Sequence, residues 1–470
     1  MRTEPARRWS PAVERVRDAL RPVSPAARDA LARRWAELPE HVRTPAQALG
    51  RFGVECEGTH GVFPRCNFSC TPCYHSADAN RVRVDGPHTL AEVESQIAFL
   101  EARAPHAHAQ LIGGEVTLLD PDDHAAALLA MRRHGREPMS FSHGDIDLDY
   151  LERLVTGPDG RRRLARLSFA VHIDTTMRGR RGQRRVERET DLTPERARVA
   201  AMFARLRERG VRTFLAHNVT VTPENVDQIP DLLAEARGLG YGMFSFQPAA
   251  FVGDDRRWRS DYSLLDADRV WARIEEGAGA RLPYRVLQVG DLRCNRTAWG
   301  FYSGERWVSL LDEDDPRDLA ARDALFAHLG GFHFSAPAPL VALRLGAVAL
   351  CHPRLVGTAL AWARRAVRRA GGWRRVLAER PRLTTFVMHR FMDAAEVAPA
   401  WALLEAGEVA ADPEVRAVQE RLAACSYLMA HPEDGRTVPA CVQHGVLDPR
   451  ENLDLAQRLP LPRRRGAPAA

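Results

Sequence analysis

Residues 60 to about 280 alternate short β-rich runs with amphipathic helical segments, six times in succession. The runs that predict strands are HGVFPRC, AQLIGGE, PMSFSHG, RLSFAVHID, RTFLAHNVTVT and YGMFSFQPA. The segments between them carry apolar residues at i, i+3, i+4 and i+7, which is typical of helices with one buried face. Because consecutive β/α units form a parallel sheet covered by helices, the pattern predicts an α/β fold, either an open doubly wound sheet or a partial barrel.

Polar side chains stand out at the carboxyl end of each predicted strand, the edge where such folds carry their chemistry. Along the chain they are Cys66, Gly113-Gly114-Glu115, Ser142 with His143, His172 with Asp174, His217 with Asn218, and Gln247. Each of them alone is more often a satisfied polar residue than a ligand-binding one. Their shared placement after successive strands predicts one site at this edge.

The stretch RCNFSCTPCYH places three cysteines, Cys66, Cys70 and Cys73, at the spacing C-x3-C-x2-C. Such a loop fits two metal centres. A zinc site would recruit His75 or a distant residue as its fourth ligand. An iron-sulfur cubane would leave one iron without a protein ligand, so that an exogenous molecule can bind there. The position after the first predicted strand, with a GGE sequence after the second, favours the cluster.

The sequences CNFSCTPCYH and QLIGGEVTLL resemble the cluster loop and the second-strand motif of the radical S-adenosylmethionine (radical SAM) superfamily. The resemblance covers about residues 60 to 255. It implies a partial (β/α)6 TIM-type barrel, a 4Fe-4S cluster and S-adenosyl-L-methionine (SAM) bound to its open iron. It further implies an electron donor such as flavodoxin or ferredoxin, and reductive cleavage of SAM to a 5′-deoxyadenosyl radical that activates a C–H bond of the substrate.

Site residues follow from the resemblance position by position. Cys66, Cys70 and Cys73 would ligate the cluster, and Gly113, Gly114 and Glu115 would receive the SAM ammonium group. Four further residues match strand ends that contact the ribose, carboxylate or adenine in this family: Ser142, Asp174, Asn218 and Gln247. The residue before the last cysteine is often aromatic in the family but is Pro72 here, so Tyr74 is the candidate to pack near the adenine.

Four cysteines lie in the second half of the chain: Cys294, Cys351, Cys425 and Cys441. The last two flank DGRTVPAC, where a turn at Asp434-Gly435 would make a hairpin and bring the two thiols together. Cys351 lies in an apolar segment, where a free thiol is ordinary packing. We therefore predict an auxiliary metal or iron-sulfur site on Cys294, Cys425 and Cys441, and interpret Cys56 as a lone thiol.

The substrate stays open between a small molecule or cofactor, a lipid and a peptide. The segments PEDGRTVPAC and LRCNRTAWGFYSGERWVSLLD resemble the branch that includes tetraether lipid synthase and related pterin- or lipid-modifying enzymes. Those relatives carry more cysteine near the N-terminus than this chain does. A peptide-modifying enzyme with a cysteine-rich C-terminal domain is the rival, and the absence of a C-x2-C pair in the second half of the sequence counts against it.

The expected organisation has four parts. They are a helical N-terminal extension (1–55), a radical SAM core (56–280), an α+β C-terminal accessory domain (281–455) and a disordered tail (456–470). Within the accessory domain, residues 339–376 are apolar with arginines toward the end. They are interpreted as a helical hairpin broken at Pro353, which either packs with a basic outer face or contacts a membrane peripherally.

Composition narrows the function class. All 67 basic residues are arginine, and they are scattered among 61 acidic ones, so the net charge of +6 does not indicate nucleic-acid binding. The sequence shows neither a signal peptide nor an apolar run long enough to span a bilayer, so a cytoplasmic location is expected. The alternative to a radical SAM enzyme is a zinc-stabilised, non-catalytic binding protein on a β/α scaffold, with the metal on the three loop cysteines and His75.

Overall fold

A ten-stranded sheet organises the chain. The computed structural model describes residues 21–75, 77–180, 186–253, 256, 258, 262 and 265–462. The strands are β1 Cys56–Gly58, β2 Ala107–Leu111, β3 Arg136–Ser142, β4 Arg166–His172, β5 Arg212–Val221, β6 Met243–Pro248, β7 Asn295–Ala298, β8 Gly300–Ser303, β9 Arg306–Ser309, β10 Arg382–Leu383, β11 Thr385–His389, β12 Tyr427–His431 and β13 Arg436–Pro439.

The strand order in the large sheet is β13-β12-β1-β2-β3-β4-β5-β6-β11-β7. All neighbours from β12 to β11 are parallel, whereas β13 and β7 pair antiparallel at the two edges. The edge strand β7 lies near the chain just before β12, where Asn295 Nδ2 is 3.4 Å from Ser426 Oγ. The predicted partial barrel of six β/α units is thus confirmed, and β12 and β11 add one parallel strand on each side of it.

Helices cover the outside of the sheet and build the remainder. They are α1 Pro25–Glu37, α2 Gly86–Arg103, α3 Pro121–Arg133, α4 Leu148–Val155, α5 Thr193–Glu208, α6 Ile229–Ala236, α7 Ala267–Ala278, α8 Pro316–Leu329, α9 Ala338–Cys351, α10 Pro353–Arg369, α11 Trp373–Glu379, α12 Ala394–Glu405, α13 Pro413–Ala423, α14 Ala440–Val442 and α15 Asp448–Arg458. Several begin with an Asp cap that accepts a backbone N–H, as Asp85 does from His88 at 3.0 Å.

The two faces of the strands alternate between the helix layer and the barrel interior. On β4, Phe169 packs outward against Phe203 of α5, with ring centroids 5.5 Å apart. Ala170, the next residue, faces inward and packs with Met139 and Ala216. This alternation decides which polar residues can reach a ligand inside the barrel.

Three predictions need correction or completion. The first strand is Cys56–Gly58 and not HGVFPRC, which runs as irregular chain toward the cysteine loop. The tail predicted from residue 456 is partly helical, because α15 continues to Arg458; the rest of it from 463 onward lies outside the described residues. Of the N-terminal extension, α1 is helical as expected, and residues 1–20 likewise lie outside the described part.

The hairpin broken at Pro353 and the turn between β12 and β13 are confirmed.

Candidate active site

The cysteine loop crosses the end of β2 in close backbone contact. The amide of Gly114 donates to the carbonyl of Phe63 at 2.8 Å, and the amide of Glu115 donates to that of Arg65 at 2.9 Å. A Cβ on Gly114 would lie 2.2 Å from the Arg65 carbonyl oxygen, and one on Gly113 would lie 2.6 Å from the Phe63 ring. Only glycine permits this approach at both positions, so the GGE sequence holds the start of the loop in place.

The other side of the loop is held by the chain that follows β4. Ser69 N–H donates to the carbonyl of Arg178 at 2.9 Å, and Thr71 N–H donates to that of Thr176 at 3.2 Å. At the beginning of the loop, Cys66 N–H donates to Asn80 Oδ1 at 2.8 Å. The three cysteines are therefore carried by backbone that is fixed between the ends of β2 and β4.

All three loop cysteines are half-buried and outside disulfides. Burial raises the pKa of the Cys70 thiol, and the nearby thiols of Cys73 and Cys66 raise it further, which places the three together.

Glu115 and Ser142 are bound to each other at the ends of β2 and β3. The Glu115 carboxylate is buried and accepts from Ser142 Oγ at 2.8 Å, from His143 N–H at 2.8 Å, and from both the amide and the hydroxyl of Thr117. Because these partners already use both of its oxygens, the carboxylate stabilises the ends of the two strands. The predicted role of Gly113, Gly114 and Glu115 toward a SAM ammonium group stays a prediction.

Asp174 is similarly engaged within the protein. One carboxylate oxygen accepts from the amide and hydroxyl of Thr176, and the other accepts from Thr220 N–H at 2.8 Å. His172 Nε2 lies 3.0 Å from Thr220 Oγ1 on the same inner face. Asp174 therefore ties the chain after β4 to β5, directly behind the cysteine loop.

Asn218 and Gln247 differ from the other predicted site residues, because each has a buried polar atom without a hydrogen-bond partner among the described residues. These atoms are Asn218 Nδ2 and Gln247 Oε1. Asn218 pairs with Ser245 across the sheet, and Gln247 pairs with Thr220 two residues further along β5. A buried polar group without a partner costs about 1–3 kcal/mol, so a donor and an acceptor left open side by side indicate a polar ligand. An adenine edge offers both complementary groups, and in this respect the residues present fit SAM.

His217, which the sequence grouped with Asn218, does not belong to the site. It faces the helices, where Arg196 of α5 donates to its Nε2 at 3.0 Å and Tyr241 packs against its ring edge. Burial and the Arg196 guanidinium lower the pKa of His217 well below its usual value. The strand alternation assigns His217 to the outer face and Asn218 to the inner one.

His143 has a contact that the sequence did not reveal. Its ring stacks on Phe68 of the cysteine loop, with centroids 3.9 Å apart, and its Nε2 lies 2.8 Å from Asn67 Oδ1. Phe68 also contacts Arg180, whose guanidinium carbon lies 5.7 Å from the centre of the Phe68 ring. The only signal in the sequence was the position of His143 at a strand end.

Tyr74 packs toward the C-terminal part of the chain. Its ring centroid lies 4.7 Å from that of Phe391 and 5.7 Å from that of His444. Its buried hydroxyl has no hydrogen-bond partner in the described part of the chain, and burial raises the pKa of the phenol. Its expected role beside the adenine stays a prediction.

The three predicted auxiliary cysteines are neighbours in space. Burial raises the pKa of the Cys441 thiol, and the Cys425 and Cys294 thiols raise it further; burial likewise raises that of Cys425 to about 11. Arg421 Nε donates to Cys294 Sγ at 3.2 Å. Cys351, in contrast, is exposed on α9.

Cys56 lies apart from the loop, on β1. Its Sγ is 3.2 Å from His108 Nδ1 and accepts from Gln110 Nε2 at 3.3 Å. Burial raises the pKa of this thiol to about 12, so it stays protonated at neutral pH. These contacts fit its interpretation as a lone thiol.

A partial α/β barrel with three thiols on the loop above its first strand is the architecture of a protein that binds a cofactor at the carboxyl ends of its strands. Residues 61–236 match the family model described as the Radical SAM superfamily. The cofactors of the family are a 4Fe-4S cluster and SAM.

Among solved structures, the chain is similar to native anSMEcpe with bound AdoMet, at 15% identity and a TM-score of 0.32, covering 47% of this chain and 58% of that one. It is also similar to Streptococcus suis SuiB, at 12% identity and a TM-score of 0.28, covering 42% of this chain and 40% of that one. The chain thus spans about two fifths to three fifths of the length of these proteins. No curated protein sequence matches it.

Proposed function

We propose that the protein is a radical SAM enzyme that cleaves SAM reductively and uses the resulting radical on a C–H bond of its substrate. The observation that carries the proposal is the grouping of three half-buried thiols on a loop fixed between the ends of β2 and β4. Cys66, Cys70 and Cys73 would hold the cluster. When bound, the cluster supplies the electron that splits the SAM sulfonium into methionine and a 5′-deoxyadenosyl radical.

The remaining residues position and enclose the cofactor. Backbone carbonyls of Gly113, Gly114 and Glu115 would accept from the SAM ammonium group, while Asn218 and Gln247 would bond its adenine or ribose through their open amide atoms. Ser142 and Asp174 hold the strand ends that present these groups. The stacked rings of Phe68 and His143 shield the loop from water on one side.

Variants of two cysteines test this assignment. In anaerobically reconstituted protein, Cys70→Ala should abolish the formation of 5′-deoxyadenosine, measured by chromatography, and should lower the iron content by about one cluster. Cys56→Ala is the matched control and should retain both, because Cys56 lies on β1 beside His108. Equal loss of the cluster in both variants would refute the assignment. Colourless wild type with one tightly bound zinc and no SAM cleavage would favour the zinc-stabilised binding protein.

The auxiliary site stays a prediction for Cys294, Cys425 and Cys441. Burial raises the pKa of the Cys441 thiol, and the other two thiols raise it further. If they hold a second 4Fe-4S cluster, the double variant Cys425→Ala/Cys441→Ala should contain about four fewer iron and four fewer sulfide per chain than wild type. Cys351→Ala should leave both unchanged, since that thiol is exposed on α9. Equal iron in wild type and the double variant would exclude a second cluster on these residues.

The reaction also needs an electron donor, for which we propose a flavodoxin or ferredoxin. Such carriers are acidic, and the net charge of +6 favours their encounter with this chain. The substrate would be a small molecule, a lipid or a peptide.

The hairpin of α9 and α10 favours a lipid or a membrane-associated substrate among these classes. Leu343, Leu350 and Leu360 are exposed on it, and no acidic residue occurs between Asp323 and Glu379. Among the described residues, no single helix is long and apolar enough to cross a membrane. The pair α9 and α10 is long and apolar enough when taken together, but its two helices are bent by 110° relative to each other. We propose peripheral contact of this hairpin with an anionic membrane surface, because apolar side chains would enter the interface while arginines face the head groups.

A further inference from the structure

Two histidines and a glutamate from distant parts of the chain meet beside the first strand. His60 lies just after β1, His431 ends β12, and Glu451 lies on α15. The imidazole rings stack, with centroids 4.2 Å apart. One donor atom from each of the three residues lies within 4.8 Å of the other two.

The hydrogen bonds of His60 determine which ring nitrogen carries its proton. Its Nε2 lies 2.8 Å from the carbonyl oxygen of Ala430, which can only accept, so Nε2 is the donor. In the neutral ring, Nδ1 then carries the lone pair. This atom lies 3.3 Å from Glu451 Oε2, which is also an acceptor.

The same reasoning applies to His431 through Gln443. The amide nitrogen of Gln443 donates to Asp448 Oδ1 at 2.9 Å and to Glu451 Oε2 at 2.8 Å, so its Oε1 is the atom 2.6 Å from His431 Nε2. That nitrogen therefore carries the proton, and the lone pair is on Nδ1. His431 Nδ1 lies 3.2 Å from Glu433 Oε1 and 3.9 Å from Glu451 Oε1.

Two imidazole nitrogens and two carboxylates thus lie in one small region, where either a proton on Nδ1 or a metal cation would satisfy them. Burial opposes a proton on His60, whereas the Glu451 carboxylate favours it and the pKa of His60 is raised overall. Partners that bind the Nε2–H of a histidine and leave Nδ1 for a metal are the usual means of orienting metal ligands. Here a backbone carbonyl and a glutamine oxygen serve that purpose for both rings.

We propose that His60, His431 and Glu451, with Glu433 as a further ligand, bind a divalent transition metal at a site separate from the cysteine loop. Nitrogen and carboxylate oxygen ligands suit zinc and its first-row neighbours. A second group of close donors, formed by His431, Glu433 and Asp434, shares one histidine with the first and extends it toward solvent.

Burial and access are arranged as such a site requires. His431 is 2% exposed, whereas the Glu451 and Glu433 side chains are 34% and 66% exposed, so the inner ligand is fixed and the carboxylates are open to an incoming ion. Gln443, which orients His431, begins a π-helical turn from Gln443 to Leu447. Such turns occur frequently at functional sites.

The position indicates what the metal would do. The ion would join β1, β12 and α15, three elements that are distant in sequence. Through Gln443 and Asp448 the cluster of ligands also connects to His444, whose Nδ1 lies 2.7 Å from Asp448 Oδ2 and whose ring packs on Tyr74 of the cysteine loop. We therefore assign it a structural role, with zinc as the probe.

Zinc content gives a readout that is independent of SAM cleavage. Full-length protein with reconstituted iron is dialysed anaerobically against micromolar Zn²⁺, and zinc and iron are counted by elemental analysis. Wild type should retain one zinc that His431→Ala loses, and Glu451→Gln should bind it at least tenfold more weakly. His134→Ala is the matched control, since His134 also pairs with a glutamate, at 2.7 Å, but belongs to no trio of close metal-binding donors among the described residues.

The outcomes separate clearly. The site would be overturned if both His431→Ala and Glu451→Gln retained this zinc. Loss of the zinc from Cys425→Ala, with retention in the other two variants, would indicate that thiols bind it instead. Absence of bound zinc in wild type would overturn it in favour of a protonated histidine pair. Glu451→Gln keeps the proposal testable if His431→Ala does not fold, because residue 451 is solvent-facing and the replacement has the same shape. Unchanged iron content in the variants confirms that the barrel is intact.

Discussion

The polar residues at the strand ends fall into two kinds. Glu115, Ser142 and Asp174 have their polar atoms bonded within the protein, so they hold the strand ends in register. Asn218 and Gln247 keep one buried amide atom each without a partner among the described residues. Under the proposed function, the first kind builds the site and the second binds the ligand.

This division gives a prediction for Asn218→Ala and Gln247→Ala. A hydrogen bond between neutral groups contributes about 1 kcal/mol, so each variant should raise the Kd for SAM roughly fivefold. The melting temperature of SAM-free Asn218→Ala should stay equal or rise, because a buried group without a partner has been removed. Gln247→Ala also removes the donor to Ser245 Oγ at 3.2 Å, so its melting temperature should fall slightly. Equilibrium dialysis with SAM and thermal unfolding measure the two effects.

Thr213→Ala is the control for these variants, since Thr213 lies at the other end of β5 and bonds only Arg207 at the surface. Unchanged SAM affinity in both amide variants would contradict the prediction. A purely structural role of Asn218 would appear instead as a lower melting temperature.

The sequence places these residues in their strands, but it does not show which face of the sheet each side chain occupies. His217 and Asn218 are adjacent polar residues in one strand, and only the register of β5 against β4 and β6 shows that one meets Arg196 and the other faces the barrel. That register depends on packing between distant segments, which local composition does not contain.

The first strand shows the same limit at the level of an element. The run HGVFPRC has the composition of a strand, and Val62 and Phe63 are indeed buried, but the chain there is irregular. The paired segment is Cys56–Gly58, in which Glu57 is buried and held by Arg136 of β3 at 2.7 and 2.9 Å. Glutamate is rarely buried without a charged partner, so the sequence around Glu57 does not predict a core strand. The partner, Arg136, is distant in sequence and is identified only by the structure. The other five strands, which are longer and more apolar, were predicted within a few residues.

The α9–α10 hairpin is the element that we expect to contact membranes. Leu350 and Leu360 are 86% and 54% exposed on it. The double variant Leu350→Glu/Leu360→Glu should lose binding to vesicles that contain phosphatidylglycerol, because two charges replace the side chains that enter the interface. Cosedimentation at low and physiological salt measures this binding.

Val409→Glu is the matched control, since Val409 is a 75% exposed apolar residue outside the hairpin. Iron content and melting temperature should be the same in all three proteins. Equal binding of wild type and the double variant to anionic vesicles, or an absence of binding by wild type, would contradict membrane contact through this hairpin.

At the scale of the whole molecule, the large sheet is assembled from both halves of the chain. β11 and β12 extend the six predicted units on opposite sides, so strand pairing crosses the boundary predicted at residue 280. The alternating β/α pattern of residues 60–280 does not extend to these two strands. Each of them is five residues long, and the turns and helices that follow them do not repeat the β/α unit. Where the domains divide stays a prediction.

The contact between β1 and β12 can be tested through Gly58. A Cβ at this position would lie 2.3 Å from the hydroxyl of Tyr427 and 2.7 Å from its ring. Gly58→Ala should therefore lower the free energy of unfolding by about 1–3 kcal/mol. In a Tyr427→Ala background the same change should cost less, because the obstructing ring is gone. A double-mutant cycle by denaturant unfolding measures the coupling, and additive effects would show that the two strands do not pack as described.

The pairing of Cys56 with Tyr427 also bears on biosynthesis. A ribosome releases β1 long before β12, so until β12 is made the first strand has one open edge, and open edges attract other chains. We expect expression to depend on chaperones that protect this edge while the rest is made. His444 and Phe391, which enclose Tyr74, arrive equally late. The order of events in the cell would then be synthesis of β12 and of these two residues first, and insertion of the iron-sulfur cluster second.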